Sequence, residues 1–477
     1  MSSTKEAPES YLAILPPSSE QHYDDLFDNF GIKSDERRTL ELLDALAGIC
    51  VSQGEGEVYA SAMETSPETC TIFIIGNYEE IPQVTQDYLN DVCRQLTDVA
   101  HLADTAGLPR PKIADLSPRT KECIDNILTT VTSFTFDKFL TRLTKWKGPW
   151  LKRWAGIDHQ LADGAEKNKF QDLTHALNRL YEVSTPHVRH VKTVVGVLAS
   201  ISRSWKLSDR NTSAFIRGLD LLPTSDTTDA PFFIERYLRK VLKTFNETSK
   251  LIRFAVSPRR GHIFRNQPKL VFLRSERRHV ELDIKTAIKT VEHHMETIDP
   301  DRVYFDQSIN NEEEQLTYCP HCECAMLATL LQQRPSPIIG VSKLSCFGCR
   351  LYFIAYRMAR IFQSGGIDLP KEFVVTRASN TLCLPWVSPD LTSIDPDLHS
   401  EVQQQLLILT RGAAIEHALS LDQCSESTTY WLEGGVAPIV NLSLGMLSTL
   451  DFLSWLLIKS FLEDIERNWM AKMNISS

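Results

Sequence analysis

Two short segments of this 477-residue sequence concentrate the residue types that do chemistry. The first is Tyr318-Cys319-Pro320-His321-Cys322-Glu323-Cys324-Ala325 and the second is Ser342-Lys343-Leu344-Ser345-Cys346-Phe347-Gly348-Cys349; 22 residues separate Glu323 from Cys346. One imidazole (His321) and two thiolates (Cys346 and Cys349) can hold Zn2+ tetrahedrally and leave the fourth position to water. Zinc so bound lowers the pKa of that water toward neutrality and makes it a nucleophile at physiological pH. Glu323 is then a carboxylate beside the metal rather than on it, suited to take the water's proton and pass it to a ring nitrogen and a leaving amine. Each segment opens a helical run, so two helix N-termini bring their positive dipole ends to the thiolates.

The same region admits a second pattern. Cys319, Cys322, Cys346 and Cys349 form C-x2-C…C-x2-C with 23 intervening residues, close to the spacing of about 15–20 in a structural zinc ribbon. A ribbon carries each pair on a tight knuckle between short strands. Here each pair opens a strongly helical run, Ala325–Gln332 and Leu351–Phe362, and Glu323 has no purpose in a ribbon. The open site is the favoured reading. Five of the eleven cysteines fall between Cys319 and Cys349, and an odd count without a secretory leader argues against a disulfide scaffold. Cys50, Cys93, Cys123 and Cys324 read as small core residues.

His-x-Glu…Cys-x-x-Cys on a helix–strand–helix resembles the zinc-dependent nucleobase deaminase superfamily, with its signature H-x-E…P-C-x-x-C. The wording His-Cys-Glu-Cys and Ser-Lys-Leu-Ser-Cys-Phe-Gly-Cys is similar in particular to the Orientia-type toxin deaminase-like family, which is expanded in filamentous fungi. The resemblance covers Asp301–Pro389. It implies Zn2+ as cofactor, His321, Cys346 and Cys349 as ligands and Glu323 as the catalytic proton shuttle. The implied substrate carries a cytosine- or adenine-type base, free or in nucleic acid. Cys322 and Ser345 stand where the superfamily usually has Ala and Pro, at positions whose backbone faces the substrate, which leaves the substrate open. Asn77 ends a strand where related enzymes place a substrate-contacting Asn, although Gly76-Asn77 also reads as a plain turn. Trp386 is a further candidate for lining the pocket. The alternative function is a zinc-stabilised interaction protein with an inactive deaminase-like domain. A scaffold needs the metal and not the carboxylate, so intact Glu323 favours the enzyme.

The resemblance implies a cytidine-deaminase-like three-layer α/β/α domain that begins helix–strand–strand before the His-x-Glu helix. No such unit immediately precedes Cys319, but one is present at Arg37–Asn77. Leu40, Leu43, Leu46, Ala47 and Cys50 share a face of a helix over Arg37–Val51, and the strand-like runs Val58–Met63 and Cys70–Asn77 flank a polar link. The expected organisation is a mobile N-terminal arm (1–35), the first part of the deaminase-like domain (36–81), a large α-helical insertion (82–300), the catalytic core (301–390) and C-terminal helices (391–477), helix-rich overall. The two early strands are expected to share a sheet with a strand at Ile338–Leu344. Strands at Phe373–Arg377 and Thr381–Trp386, joined by three residues, must be antiparallel to each other.

Hydrophobic residues at 42% and charged residues at 23% are ordinary globular usage and exclude a disordered chain. With 51 Lys and Arg against 61 Asp and Glu the net charge is −10, so the whole surface cannot be a polyanion binder. A local exception is Arg236–Lys289, with fifteen Lys and Arg against four Asp and Glu, read either as a solvated face or as a nucleic-acid contact. Trp146, Trp150 and Trp154, interleaved with lysines, read as helix core or as a stacking platform for bases. Met1–Ser10 has no apolar leader, which points to an intracellular protein. The apolar run Ile439–Ile458 carries Asp451 at mid-span and reads as a buried or partner-facing helix before a tail anchor.

Overall fold

The computed structural model describes residues 7–15, 34–53, 56–66, 68–104, 115–158, 160–161, 164–183, 187–206, 209–222, 232–296, 314–333, 338–343, 345–363 and 386–431. The chain opens with α1 (Pro8–Ala13), α2 (Ser34–Ile49) and the hairpin β1 (Tyr59–Thr65) and β2 (Cys70–Gly76). A helical stretch follows: α3 (Gln83–Asp104), α4 (Pro118–Phe134), α5 (Phe136–Lys145), α6 (Lys147–Asp158), α7 (Ala165–Tyr181), α8 (Val188–Ser204), α9 (Arg210–Leu221), α10 (Ile234–Val241), α11 (Lys243–Ala255) and α12 (His262–Arg265). Then come β3 (Lys269–Phe272), β4 (Arg278–Leu282), α13 (Ile284–Glu296), β5 (Glu314–Tyr318), α14 (Cys322–Gln333), β6 (Ile339–Val341), α15 (Phe347–Gln363) and α16 (Pro396–Trp431). The molecule is helix-rich with a small mixed sheet.

The sheet runs β3-β2-β1-β6. β1 is antiparallel to both neighbours, with Tyr59 opposite Gly76 on one side and Ser61 opposite Gly340 on the other. The early hairpin therefore hydrogen-bonds to the strand that precedes Cys346, the pairing the sequence led us to expect. Alternation sorts the strand residues onto two faces. Tyr59, Met63, Ile72 and Ile74 pack in one core with Leu42, Leu43 and Leu46 of α2 and with the helical stretch. Ala60, Ala62, Phe73, Ile75, Ile339 and Val341 pack in the other with α14 and α15.

α2 lies against the sheet because the residues beneath it are small. Ser61 donates its hydroxyl to the Leu43 carbonyl at 2.7 Å, and buried Asp44 accepts the Val341 N–H at 2.9 Å. Gly340 is opposite Ser61, and a Cβ there would overlap the backbone of Leu43 and Asp44.

Several expectations change. β3 pairs in parallel with β2, and β4 pairs with β5, so the region assigned to a helical insertion also supplies two strands. Runs of four or five residues are too short for periodicity to separate strand from helix. Glu314–Tyr318, immediately before Cys319, is a strand because β4 supplies its partner. Part of the expected mobile arm is ordered: α1 is buried, and Glu9 accepts the Ser388 N–H at 3.0 Å and its hydroxyl at 2.8 Å. Helix α14 starts at Cys322, and Cys319, the residue before Pro320, is kept out of helical geometry. Trp150 is fully buried, ringed by Phe170, Phe232 and Tyr237, which makes it core and not a stacking platform. The strand expected at 373–377, all of the strand expected at 381–386 except Trp386, and the apolar run 439–458 lie outside the described residues. Among the described residues no helix is long and apolar enough to cross a membrane.

Gly340→Ala should destabilise the protein by about 3 kcal/mol, the upper end for overpacking, because rigid backbone rather than a mobile side chain occupies the space. Denaturant unfolding of the variant beside wild type measures this.

Candidate metal centre

β5 delivers His321 three residues beyond its end, and β6 delivers Cys346 five residues beyond its own. Both ligands sit at helix starts. The His321 carbonyl accepts the Ala325 N–H at 2.9 Å, and the Cys346 carbonyl accepts the Arg350 N–H at 3.1 Å. The Cys346 sulfur also accepts the Cys349 N–H at 3.5 Å, so the thiol does the work of a capping side chain at a positive helix end.

Three ligand atoms converge. His321 Nδ1 is 3.2 Å from Cys346 Sγ and 3.3 Å from Cys349 Sγ, and the two sulfurs are 3.4 Å apart. Zn–S and Zn–N bond lengths put the ligand atoms of a tetrahedral site about 3.5–3.8 Å apart. The triangle therefore fits zinc after opening by a few tenths of an ångström. Contact with Cys349 and then burial push the Cys346 thiol well up, and burial first of all does the same to Cys349. A divalent cation is the group that would hold both as thiolates there. Among the described residues this is the one His/Cys/Asp/Glu group with metal-binding geometry.

The other site candidates are distributed as follows. Glu323 is 4% exposed in the first turn of α14, beside His321. Cys322 is fully buried and donates its thiol to Glu323 Oε2 at 3.3 Å; burial and the carboxylate both push that thiol up, which keeps it a donor. Ser345 is buried immediately before the ligand Cys346. Cys319 lies outside the triangle, its thiol 3.6 Å from the Ser275 carbonyl, so a four-cysteine ribbon is not assembled. Asn77 uses both ends of its amide on the hairpin, accepting from Val58 N–H at 2.9 Å and donating to the Gly56 carbonyl at 2.7 Å. This is the turn reading. Trp386 is 2% exposed, packed on Tyr352 and on Gly348, where an added Cβ would come within 2.9 Å of the indole. It supports the ligand helix from the core instead of lining an open pocket.

One contact was missed from sequence. The buried Cys324 thiol neighbours Cys349, whose own thiol it helps push up, and no spacing rule distinguishes it from a core cysteine. The basic stretch is also less available than its composition implies. Arg239, Arg260, Arg265, Arg274 and Arg277 form ion pairs with Glu235, Asp35, Asp104, Glu80 and Glu79.

Residues 320–390 match the family model described as OTT_1508-like deaminase. The chain carries a deaminase-like domain. The matched residues contain the whole triangle and Glu323, the same constellation that the geometry isolates. No curated protein and no solved structure gives a significant match to the chain.

Metal analysis of purified protein should find one zinc per chain. Cys346→Ser and Cys349→Ser should each lose it, with a fall in melting temperature, because metal bound by the folded state alone adds to folding free energy. Cys319→Ser should keep the zinc.

Proposed function

We propose that this protein is a zinc-dependent hydrolytic deaminase acting on a cytosine- or adenine-type base, free or in nucleic acid. The observation that carries the reading is the His321/Cys346/Cys349 triangle with buried Glu323 on the same helix start. His321, Cys346 and Cys349 would hold the zinc. Bound there, zinc supplies the Lewis acidity that makes water nucleophilic near neutral pH.

The remaining work belongs to Glu323. Its carboxylate takes one proton from the attacking water and hands it to the ring nitrogen beside the reacting carbon, then takes the second proton from the added hydroxyl and gives it to the departing amine, so that the carbonyl forms as the C–N bond breaks and ammonia leaves. The Cys322 thiol donates to one carboxylate oxygen and orients the other. Burial in the core of α14 and α15 keeps bulk water from these groups, which strengthens each charge interaction.

The same reading extends to architecture: a three-layer α/β/α deaminase-like domain divided between residues 36–81 and 301–390, with the intervening helices inserted. Asn77 and Trp386 then act on substrate indirectly, by shaping the hairpin and the floor of α15. The scaffold alternative keeps the metal and needs no buried carboxylate beside it.

Glu323→Ala should retain zinc and fold while ammonia release falls by about 10²–10⁴. An ammonia-release screen across nucleobases, nucleosides, nucleotides and single-stranded DNA and RNA, run on wild type beside the variant, decides between the two. If no substrate responds and the variant still fulfils the protein's cellular role, the scaffold reading replaces the enzyme.

A further inference from the structure

The first helix packs against the last part of the chain. Six residues cannot hold a helix in water on their own, so α1 is helical because it is docked. Among the described residues its neighbours are chiefly β4, α13 and α16. Pro8, Glu9, Ser10, Tyr11 and Leu12 are all buried. Tyr11 and Ile14 enter the apolar cluster of α13 and α16, whereas Leu12 enters the cluster that holds Cys322, Cys346 and Cys349. The Ser10 hydroxyl accepts the Asp283 N–H at 3.0 Å, where α13 begins.

Two routes lead from α1 to the metal ligands. The direct one is Leu12. Gly348 stands between Cys346 and Cys349, and the space a side chain would take there is filled from two sides. An added Cβ would lie 3.2 Å from Leu12 Cδ1 and 2.9 Å from the Trp386 indole. The second route runs through Ser388, two residues beyond Trp386. Glu9 accepts its N–H at 3.0 Å and its hydroxyl at 2.8 Å. Arg278 of β4 donates to the Ser388 carbonyl and, at 3.2 Å, to the hydroxyl, and Gln403 of α16 donates to that hydroxyl at 3.0 Å. The hydroxyl thus donates once and accepts twice, its full capacity. The backbone that carries Trp386 onto Gly348 is held by a carboxylate from residue 9.

α1 belongs to no sheet and supplies no ligand, so its docking rests on a few buried side chains. Short elements held in this way open at a lower free energy than core strands and helices. When α1 leaves, Gly348 loses one of the two side chains packed on it, and two Ser388 donors lose their acceptor. Ligating geometry depends on such supporting contacts, because a metal site is only as precise as the side chains and backbone behind it.

We propose that residues 7–15 are a positioning strap of the metal centre: Leu12 and Glu9 hold the Cys346–Cys349 turn in ligating geometry, so that retention of the metal depends on the docked N-terminal segment. This rests on the reading of His321, Cys346 and Cys349 as zinc ligands, and on the contacts of α1 for the strap. Leu12 and Glu9 are positioning residues, acting through Gly348 and through Ser388 and Trp386.

The test uses the full chain, loaded in parallel with zinc and with cobalt. Release of zinc to an excess of chelator should be about tenfold faster in Leu12→Ala, the effect expected if half the cost of truncating a buried leucine reaches the ligand turn. Leu12→Val should show a smaller change in the same direction, and it serves if the alanine variant does not fold. Glu9→Ala should also speed release, and Glu9→Gln, which keeps an acceptor oxygen for Ser388, should restore the wild-type rate. The thiolate-to-cobalt absorption bands should shift in Leu12→Ala and Glu9→Ala and match wild type in Glu9→Gln. Ile216→Ala, in the core of α9, is the control: it should lower the melting temperature and leave release and spectrum unchanged. Amide exchange in the metal-free protein reads the turn directly at the Cys349 and Arg350 N–H groups, both bonded to Cys346, and should be faster in the strap variants. Release and exchange equal to wild type in the folded strap variants overturn the strap and leave the metal centre standing. Release hastened as much by Ile216→Ala at equal loss of melting temperature also overturns it, since general stability then explains the effect. Faster exchange in the strap variants, with neither zinc nor cobalt bound by any chain, leaves α1 supporting the turn but removes the metal centre, and the proposal with it.

Discussion

The cross-strand pair Ser61–Gly340 is the constraint on which the rest of the structure depends. One residue comes from the early hairpin and the other from the strand that leads to Cys346. Both are small and both face α2, so the helix backbone can come down onto the sheet. Once it does, Asp44 takes the Val341 N–H and Ser61 takes the Leu43 carbonyl, two buried hydrogen bonds that a larger residue would forbid. The alternate residues, Ala60 with Val341 and Ala62 with Ile339, face the opposite way and form the bed for α14 and α15. One three-residue strand thus sets the height of the helix above the sheet and the position of the ligand helices below it.

The centre built on that bed is held together by opposed tendencies. Two thiols and an imidazole crowd within 3.4 Å in a buried setting, which by itself favours protonated sulfur. Helix N-termini favour the thiolate. Gly348 lets the Trp386 indole press against the first turn of α15, so the cysteine-bearing turn is backed by a large rigid ring and moves little when its electrostatics change. Precision at the ligands is a packing property as much as a coordination property.

The candidate site was readable from sequence because its residues are local: His321 with Glu323, and Cys346 with Cys349, are each fixed by one helical turn. Helix α2 and strands β1 and β2 were readable for the same reason, through amphipathic spacing and alternation. What could not be read depends on partners far away in the chain. β3 and β5 are strands because β2 and β4 accept them, and Lys269–Phe272 alone is too short to declare itself. Asn77 was ambiguous until the Gly56 carbonyl and Val58 N–H were seen around it. Cys324 looks like any core cysteine until Cys349 is beside it. The arginines of the basic stretch look free until Asp35, Glu79, Glu80 and Asp104 arrive from earlier helices and turns.

The late arrival of β6 has a consequence for synthesis. β3 covers the β2 side of the hairpin, but the β1 side has no partner until Ile339–Val341 leaves the ribosome. At about 5–20 residues per second the intervening chain takes on the order of 15–55 s to emerge. For that time the nascent protein has a bare strand edge flanked by apolar residues, the template most prone to pair with the wrong chain. The helical stretch is made during this wait, and α11, which packs onto α2 in the folded protein, is translated before β6. The helices α3 to α11 are thus translated before the sheet's last strand, and the face of α2 that they cover in the folded protein does not need β6 to be present.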